Sequence, residues 1–109
     1  MEIRVLQYFV TIAREESISK AAEVLHITQP TLSRQMKELE DEFNKKLFIR
    51  GSRKITLTKD GILLKQYAQE IIGLVDKAER DLLKEDNELA GDIYIGSGES
   101  SAIRFVMRV

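Results

Sequence analysis

From Ser17 to Phe43 the chain reads SISKAAEVLHITQPTLSRQMKELEDEF, and the way this stretch divides decides the fold. Ile18, Ala21, Ala22 and Leu25 supply one apolar face at helical spacing. The adjacent alanines leave room for another helix to approach closely. His26-Ile27-Thr28 then breaks the period. Thr28 is a good N-cap, because its hydroxyl can accept from a free amide of the following turn. Pro30 falls in that first turn, where a missing amide costs nothing. Leu32, Met36, Leu39 and Phe43 recur at spacings of four, three and four, so a second amphipathic helix is expected over 29–43. Its opposite face presents Gln29, Thr31, Ser33, Arg34 and Lys37. Two helices joined by about three residues, the second with a polar, hydrogen-bonding start, follow the plan of a helix-turn-helix.

Upstream, Leu6, Phe9, Val10 and Ala13 mark one face of a first helix, which Arg14-Glu15-Glu16 interrupts. Ser17 or Ser19 can accept hydrogen bonds at the start of the next helix. Downstream, Leu47 and Ile49 alternate before Gly51-Ser52, and Ile55 and Leu57 alternate after it. This pattern predicts a β-hairpin over 47–57, a wing set directly behind the second helix of the motif. Thr58-Lys59-Asp60-Gly61 has the character of a helix start, with an acid in the first turn. No proline intervenes from Ile62 to about Glu88, although Gly73 weakens the run. Leu64, Ala68, Ile71, Val75, Ala78 and Leu82 keep a four-three rhythm, which reads as a dimerisation seam on a helix of roughly 27 residues. The simpler reading, a core helix packed on the preceding module, holds for part of its length. Gly91-Asp92-Ile93-Tyr94-Ile95-Gly96 resembles a lone strand, which cannot form a sheet by itself.

Composition narrows the function classes. The chain has 109 residues, 43% hydrophobic and 32% charged, as expected of a globular protein and not of a disordered one. It contains no cysteine, so neither a disulfide nor a thiolate metal site is available, which suits a reducing cytosol. No apolar run approaches a membrane span, and the N-terminus lacks the layout of a signal peptide. His26 is the single histidine and sits in the interhelical turn, so neither a catalytic residue, a metal ligand nor a cofactor site is assigned. Gly96-Ser97-Gly98 only weakly matches a dinucleotide loop, since Ser101 stands where the next glycine belongs.

The net charge of −1 conceals an uneven distribution. Residues 1–58 carry ten Lys/Arg against eight Asp/Glu, and residues 59–109 carry seven against ten. Lys45, Lys46, Arg50, Arg53, Lys54 and Lys59 follow Phe43 with no acid among them, a strip suited to phosphates. On the second helix Gln can pair with adenine, Arg with guanine, and the Thr methyl can touch that of thymine. The wing cations Arg50, Arg53 and Lys54 can reach phosphates or a narrow minor groove. The bland alternatives are a solvated helix face and solubilising charge at a turn. It is the close succession of polar helix and basic hairpin that favours DNA.

Several motifs then fall in one order: Leu6-x-x-Phe9, Ser17-Ile18-Ser19-Lys20-Ala21-Ala22-Glu23-x-Leu25, Gln29-Pro30-Thr31-Leu32-Ser33-Arg34-Gln35-x-x-x-Leu39-Glu40, Leu47-Phe48-x-Arg50 and Leu57-Thr58-x-x-Gly61. Over roughly residues 3–61 this combination resembles the N-terminal module of LysR-type transcriptional regulators. The resemblance implies a mainly α (α+β) fold, a winged helix-turn-helix with a two-stranded wing and a long linker helix. The expected division is a DNA-binding domain at 1–58, a linker and dimerisation helix at 59–89, and the start of a truncated α/β effector-binding domain at 90–109. It also implies a bacterial, cytoplasmic homodimer, often a tetramer, that binds double-stranded promoter DNA and answers a small-molecule inducer through a missing C-terminal domain. Carried over by position, the DNA-binding set is Gln29, Pro30, Thr31, Ser33, Arg34, Lys37, Arg50, Arg53 and Lys54, with Ser17 and Thr28 at the helix starts. Ser100 and Ser101 fall near the beginning of the family's effector pocket. Asn44 stands where the family usually has glycine, and asparagine tolerates the left-handed backbone such a turn needs. Gly51-Ser52 makes the wing tip slightly different. The rival reading is a dimerising protein-protein interaction module that uses the same winged fold without DNA.

Overall fold

The computed structural model describes residues 1–84, which form four helices and one two-stranded sheet. Helix α1 spans Ile3–Glu15, α2 Ile18–Leu25 and α3 Gln29–Phe43. Strands β1, Phe48–Arg50, and β2, Ile55–Leu57, pair antiparallel with Phe48 opposite Leu57 and Arg50 opposite Ile55. Helix α4 runs from Lys59 to Leu82.

The helix boundaries follow from their caps. Glu16 ends α1 in the left-handed region at φ 58°, its amide donating to the Ile12 carbonyl at 2.8 Å. Ser17 is the N-cap of α2, its Oγ accepting from the Lys20 amide at 3.1 Å, so Ser19 is left for other work. His26, at φ 60°, closes α2. Thr28 opens α3, its hydroxyl accepting from the Thr31 amide at 3.3 Å, with Pro30 in the first turn. Asn44 closes α3 at φ 53°, the left-handed conformation its residue type tolerates.

Phe9, Ile12, Ile18, Ala21, Ala22, Leu32, Met36, Leu39 and Leu47 form one buried core. Ala21 is fully buried, as the close approach of helices at the alanine pair requires. Three details differ from the sequence expectation. In α1 the buried row is Leu6, Phe9 and Ile12, while Val10 and Ala13 are half-buried. In α3 the core face ends at Leu39; Phe43 is exposed, and Leu47 beyond the turn joins the core. In the hairpin Ile49 faces outward, and Phe48 turns inward against Phe9 with ring centroids 5.2 Å apart. Because Leu47 lies before β1, its burial does not set the parity of the strand.

The hairpin is fixed to the helices at both ends. The Ile55 amide donates to the Glu16 carbonyl at 3.0 Å, tying β2 to the α1–α2 turn. Thr58 donates through its amide to the Leu47 carbonyl and through its hydroxyl to the Lys46 carbonyl at 2.6 Å, and it accepts from the Gly61 amide at 3.0 Å. A Cβ on Gly61 would press into the Leu47 backbone carbonyl and stand 3.2 Å from the Leu57 Cβ, so only glycine fits this crossing.

Helix α4 has 24 residues and ends at Leu82, short of the expected Glu88. Chain contacts group Met1–Val75 into one unit, and the last turns of α4, from residue 76, fall outside it. Two members of the expected dimer seam are drawn into that unit: Ala68 is fully buried and Leu64 packs on the core. Ala68 is therefore not open to a partner, because the helix face it occupies already lies against its own chain. Ile71 and Val75 are half-buried, Ala78 and Leu82 exposed. Near the end of α4, Lys77 donates to Asp81 at 3.0 Å. That bond holds the Asp81 carboxyl below its ordinary range against an opposing desolvation, helped by the charges of Lys77, Lys84 and Arg80. The expected strand at 91–96, Ser100 and Ser101 lie outside the described residues. No described helix is long and apolar enough to cross a membrane.

Candidate nucleic-acid interface

Because α3 buries Leu32, Met36 and Leu39, it must turn its remaining faces outward. Thr28, Gln29, Pro30, Arg34 and Lys37 are exposed, and Thr31 and Ser33 are half-buried. The start of the helix is stiffened by its own side chains. Thr28 donates its hydroxyl proton to the Thr31 hydroxyl at 2.8 Å while accepting from the Thr31 amide, which leaves Thr31 one free donor. Ser17 spends its acceptor on α2 and keeps its proton for an outside acceptor.

The start of the hairpin brings Lys46 and Arg50 to the same side. A cleft of about 490 Å³ opens between α3 and the start of the hairpin, lined by Ser33, Arg34 and Lys37 on one wall and Lys46 and Arg50 on the other. Glu40 forms its floor and joins the walls. Its Oε2 accepts from the Leu47 amide at 2.8 Å and the Phe48 amide at 3.4 Å, while Lys46 stands 3.9 Å from Oε1. Arg53 and Lys54 lie past the cleft, at the tip that the Gly51 amide closes onto the Lys54 carbonyl at 3.0 Å.

Most of these cations have acidic neighbours. Arg34 lies 3.5 Å from Glu38, Lys37 3.9 Å from Asp41 and Lys54 3.6 Å from Glu16, all on exposed side chains. Among the described residues Arg50 and Arg53 take part in no ion pair. Nor do any three acidic or histidine side chains converge there as a metal site would need.

Sequence reasoning missed three residues that shape this surface. Glu40 lay within a quoted motif, but its partners are backbone amides beyond a turn, which no helical periodicity can reveal. Lys46 belonged to the acid-free strip without being singled out. Ser19 was read only as a possible cap; it donates instead to Gln29 Oε1 at 3.1 Å.

The family model described as bacterial regulatory helix-turn-helix protein, lysR family, matches residues 3–62. The HTH-type transcriptional regulator BsdA of Bacillus subtilis is 44% identical over 98 residues, which cover 89% of this chain and 34% of that protein. The regulator GltR of the same organism is 41% identical over 102 residues, 94% of this chain and 34% of its own length. The chain thus spans about a third of the curated relatives it matches. Among solved structures, the BenM DBD/catB site 1 DNA complex superposes with a TM-score of 0.71 at 44% identity, covering 73% of this chain and 86% of that one. The CbnR DBD–DNA complex does so at 0.70 and 34% identity, covering 74% and 93%.

Proposed function

Because the chain belongs to the lysR family of bacterial regulatory helix-turn-helix proteins, we propose that it is the DNA-reading part of a homodimeric, cytoplasmic transcription regulator without enzymatic activity. The observation that carries this reading is the single cleft on which a capped, polar helix and a cationic hairpin converge. In the proposed mechanism the N-terminal half of α3 enters the major groove, where Gln29, Pro30, Thr31, Ser33 and Arg34 meet base edges. Lys37, Lys46 and Arg50 neutralise the phosphates that border the groove. Arg53 and Lys54 extend the contact toward the backbone or the adjacent minor groove. Ser17 and Thr28 set two helix N-termini toward phosphate oxygens, where free amides and the helix dipole favour negative charge.

Pairing of two copies supplies the second half-site. Leu63, Tyr67 and Leu74 are exposed on one side of α4 at spacings of four and seven, an apolar row that a second copy can cover. The BenM and CbnR neighbours are DNA complexes, which supports the choice of a nucleic acid over a protein partner for this surface. Ser100 and Ser101 remain proposed contributors to an inducer pocket, and tetramer formation remains proposed with them.

Titration of the protein against its own upstream promoter region, at several salt concentrations, tests the reading. With about six phosphates neutralised, log affinity falls against log salt with a slope near −5. Salt-independent affinity, or equal affinity for promoter and unrelated duplex, overturns it.

A further inference from the structure

Resting on the DNA-reading function, we propose that Ser19 is a specificity-determining residue that acts through Gln29. The two side chains come from different helices. Ser19 lies in the first turn of α2 and is free of capping duty, because Ser17 accepts from the Lys20 amide. Gln29 is the first residue of α3, at the end that enters the groove. Ser19 Oγ donates to Gln29 Oε1 at 3.1 Å, and both side chains are exposed, so the bond serves no buried core.

Its consequence lies in the orientation of the amide. A glutamine side chain ends in an acceptor on one side and two donors on the other, and a half-turn about its last bond exchanges them. An unrestrained Gln29 offers either edge to a base, and its end is otherwise free to swing. With Oε1 held toward α2, the Nε2 donors point away from α2, toward the space a base edge would fill. One lone pair of Oε1 stays available beside them. The amide thus meets DNA already oriented, able to donate to a purine N7 while still accepting from an adjacent amino group. Ordering the side chain before binding removes part of the entropy cost of contact. It also penalises the base that would need the opposite amide orientation.

Affinity selection from a randomised duplex library, followed by Kd measurements on the selected duplex and its single-base-pair variants, tests this. The protein, S19A, S19T, Q29A and the S19A/Q29A double variant are compared. Q29A identifies the base pair that Gln29 reads. At that base pair S19A lowers discrimination by about three- to tenfold, the range of one hydrogen bond. S19T retains the hydroxyl and restores discrimination. S19A changes nothing further in the Q29A background, and thermal melting of S19A matches the parent. Three outcomes overturn the proposal: S19A discriminates as the parent does, S19A weakens every duplex equally even without Gln29, or Q29A costs no discrimination anywhere. Failure of the parent protein to enrich any sequence would instead refute the DNA-reading function itself.

Discussion

Removing the Glu40 carboxylate tests whether the cleft is held in shape by a single side chain. Glu40→Ala deletes the acceptor of the Leu47 amide at 2.8 Å and of the Phe48 amide at 3.4 Å, beside a side chain buried in the core. The first contact is short and charge-assisted, a class worth about 1.5–3 kcal/mol; the second is long and adds little. The Lys46 pair at 3.9 Å joins a lysine whose side chain is 79% exposed, so it contributes almost nothing. Because the carboxylate is 15% exposed, water replaces it only in part. The expected loss is about 2 kcal/mol, or a fall of roughly 8–16 °C in Tm for a domain of this size. Glu40→Gln keeps an oxygen acceptor and loses about half as much. The measurement is thermal and urea unfolding followed by circular dichroism, at one fixed protein concentration because dimerisation would otherwise shift Tm. A Glu40→Ala chain within about 0.5 kcal/mol of the parent refutes the reasoning, as does a Gln variant no better than Ala.

Two glycines of α4 give effects of opposite sign. Gly61→Ala drives a methyl into the Leu47 backbone carbonyl and destabilises by about 1–3 kcal/mol, whereas Gly73→Ala meets nothing within 4 Å and stabilises by up to about 1 kcal/mol; unfolding curves showing the same sign for both contradict this account. Leu74 is 67% exposed, so Leu74→Asp leaves the fold intact but weakens self-association by about tenfold or more. Sedimentation equilibrium with an unchanged monomer–dimer ratio would remove this row from the interface.

The parts legible in the sequence are those governed by neighbours along the chain. Thr28, Pro30 and Asn44 bracket α3 because caps and turn residues act within a few positions. The helix-turn-helix spacing followed from where the period of Leu25 and Leu32 breaks. What stayed hidden depends on contacts made across the fold. Alternation could not tell whether Phe48 or Ile49 faces Phe9, since the answer is set by where β1 begins and by the size of the space above α1. Periodicity could not separate the half of α4 that completes the core from the half that does not, so Ala68 was counted in the wrong place. Glu40, Gly61 and Ser19 are each defined by a partner seven to fourteen positions away.

The near-neutral net charge, which by itself argues against a polyanion partner, has a local explanation on the same surface. Arg34, Lys37 and Lys54 each stand beside an acid on an exposed surface, and such pairs are worth no more than about 1 kcal/mol. A phosphate or a base edge can therefore displace the carboxylate at little cost. Away from DNA, the acids reduce the reach of these cations, since their fields largely cancel beyond a Debye length of about 10 Å. Arg50 and Arg53, like Lys45 and Lys59 of the same strip, are without ion pairs among the described residues and are then among the charges felt at a distance. On the proposed function the wing attracts any duplex, and the helix cations contribute fully only when a matching groove brings phosphates and bases within contact. A positive surface built this way favours specific over non-specific sites, which a uniformly basic chain would not.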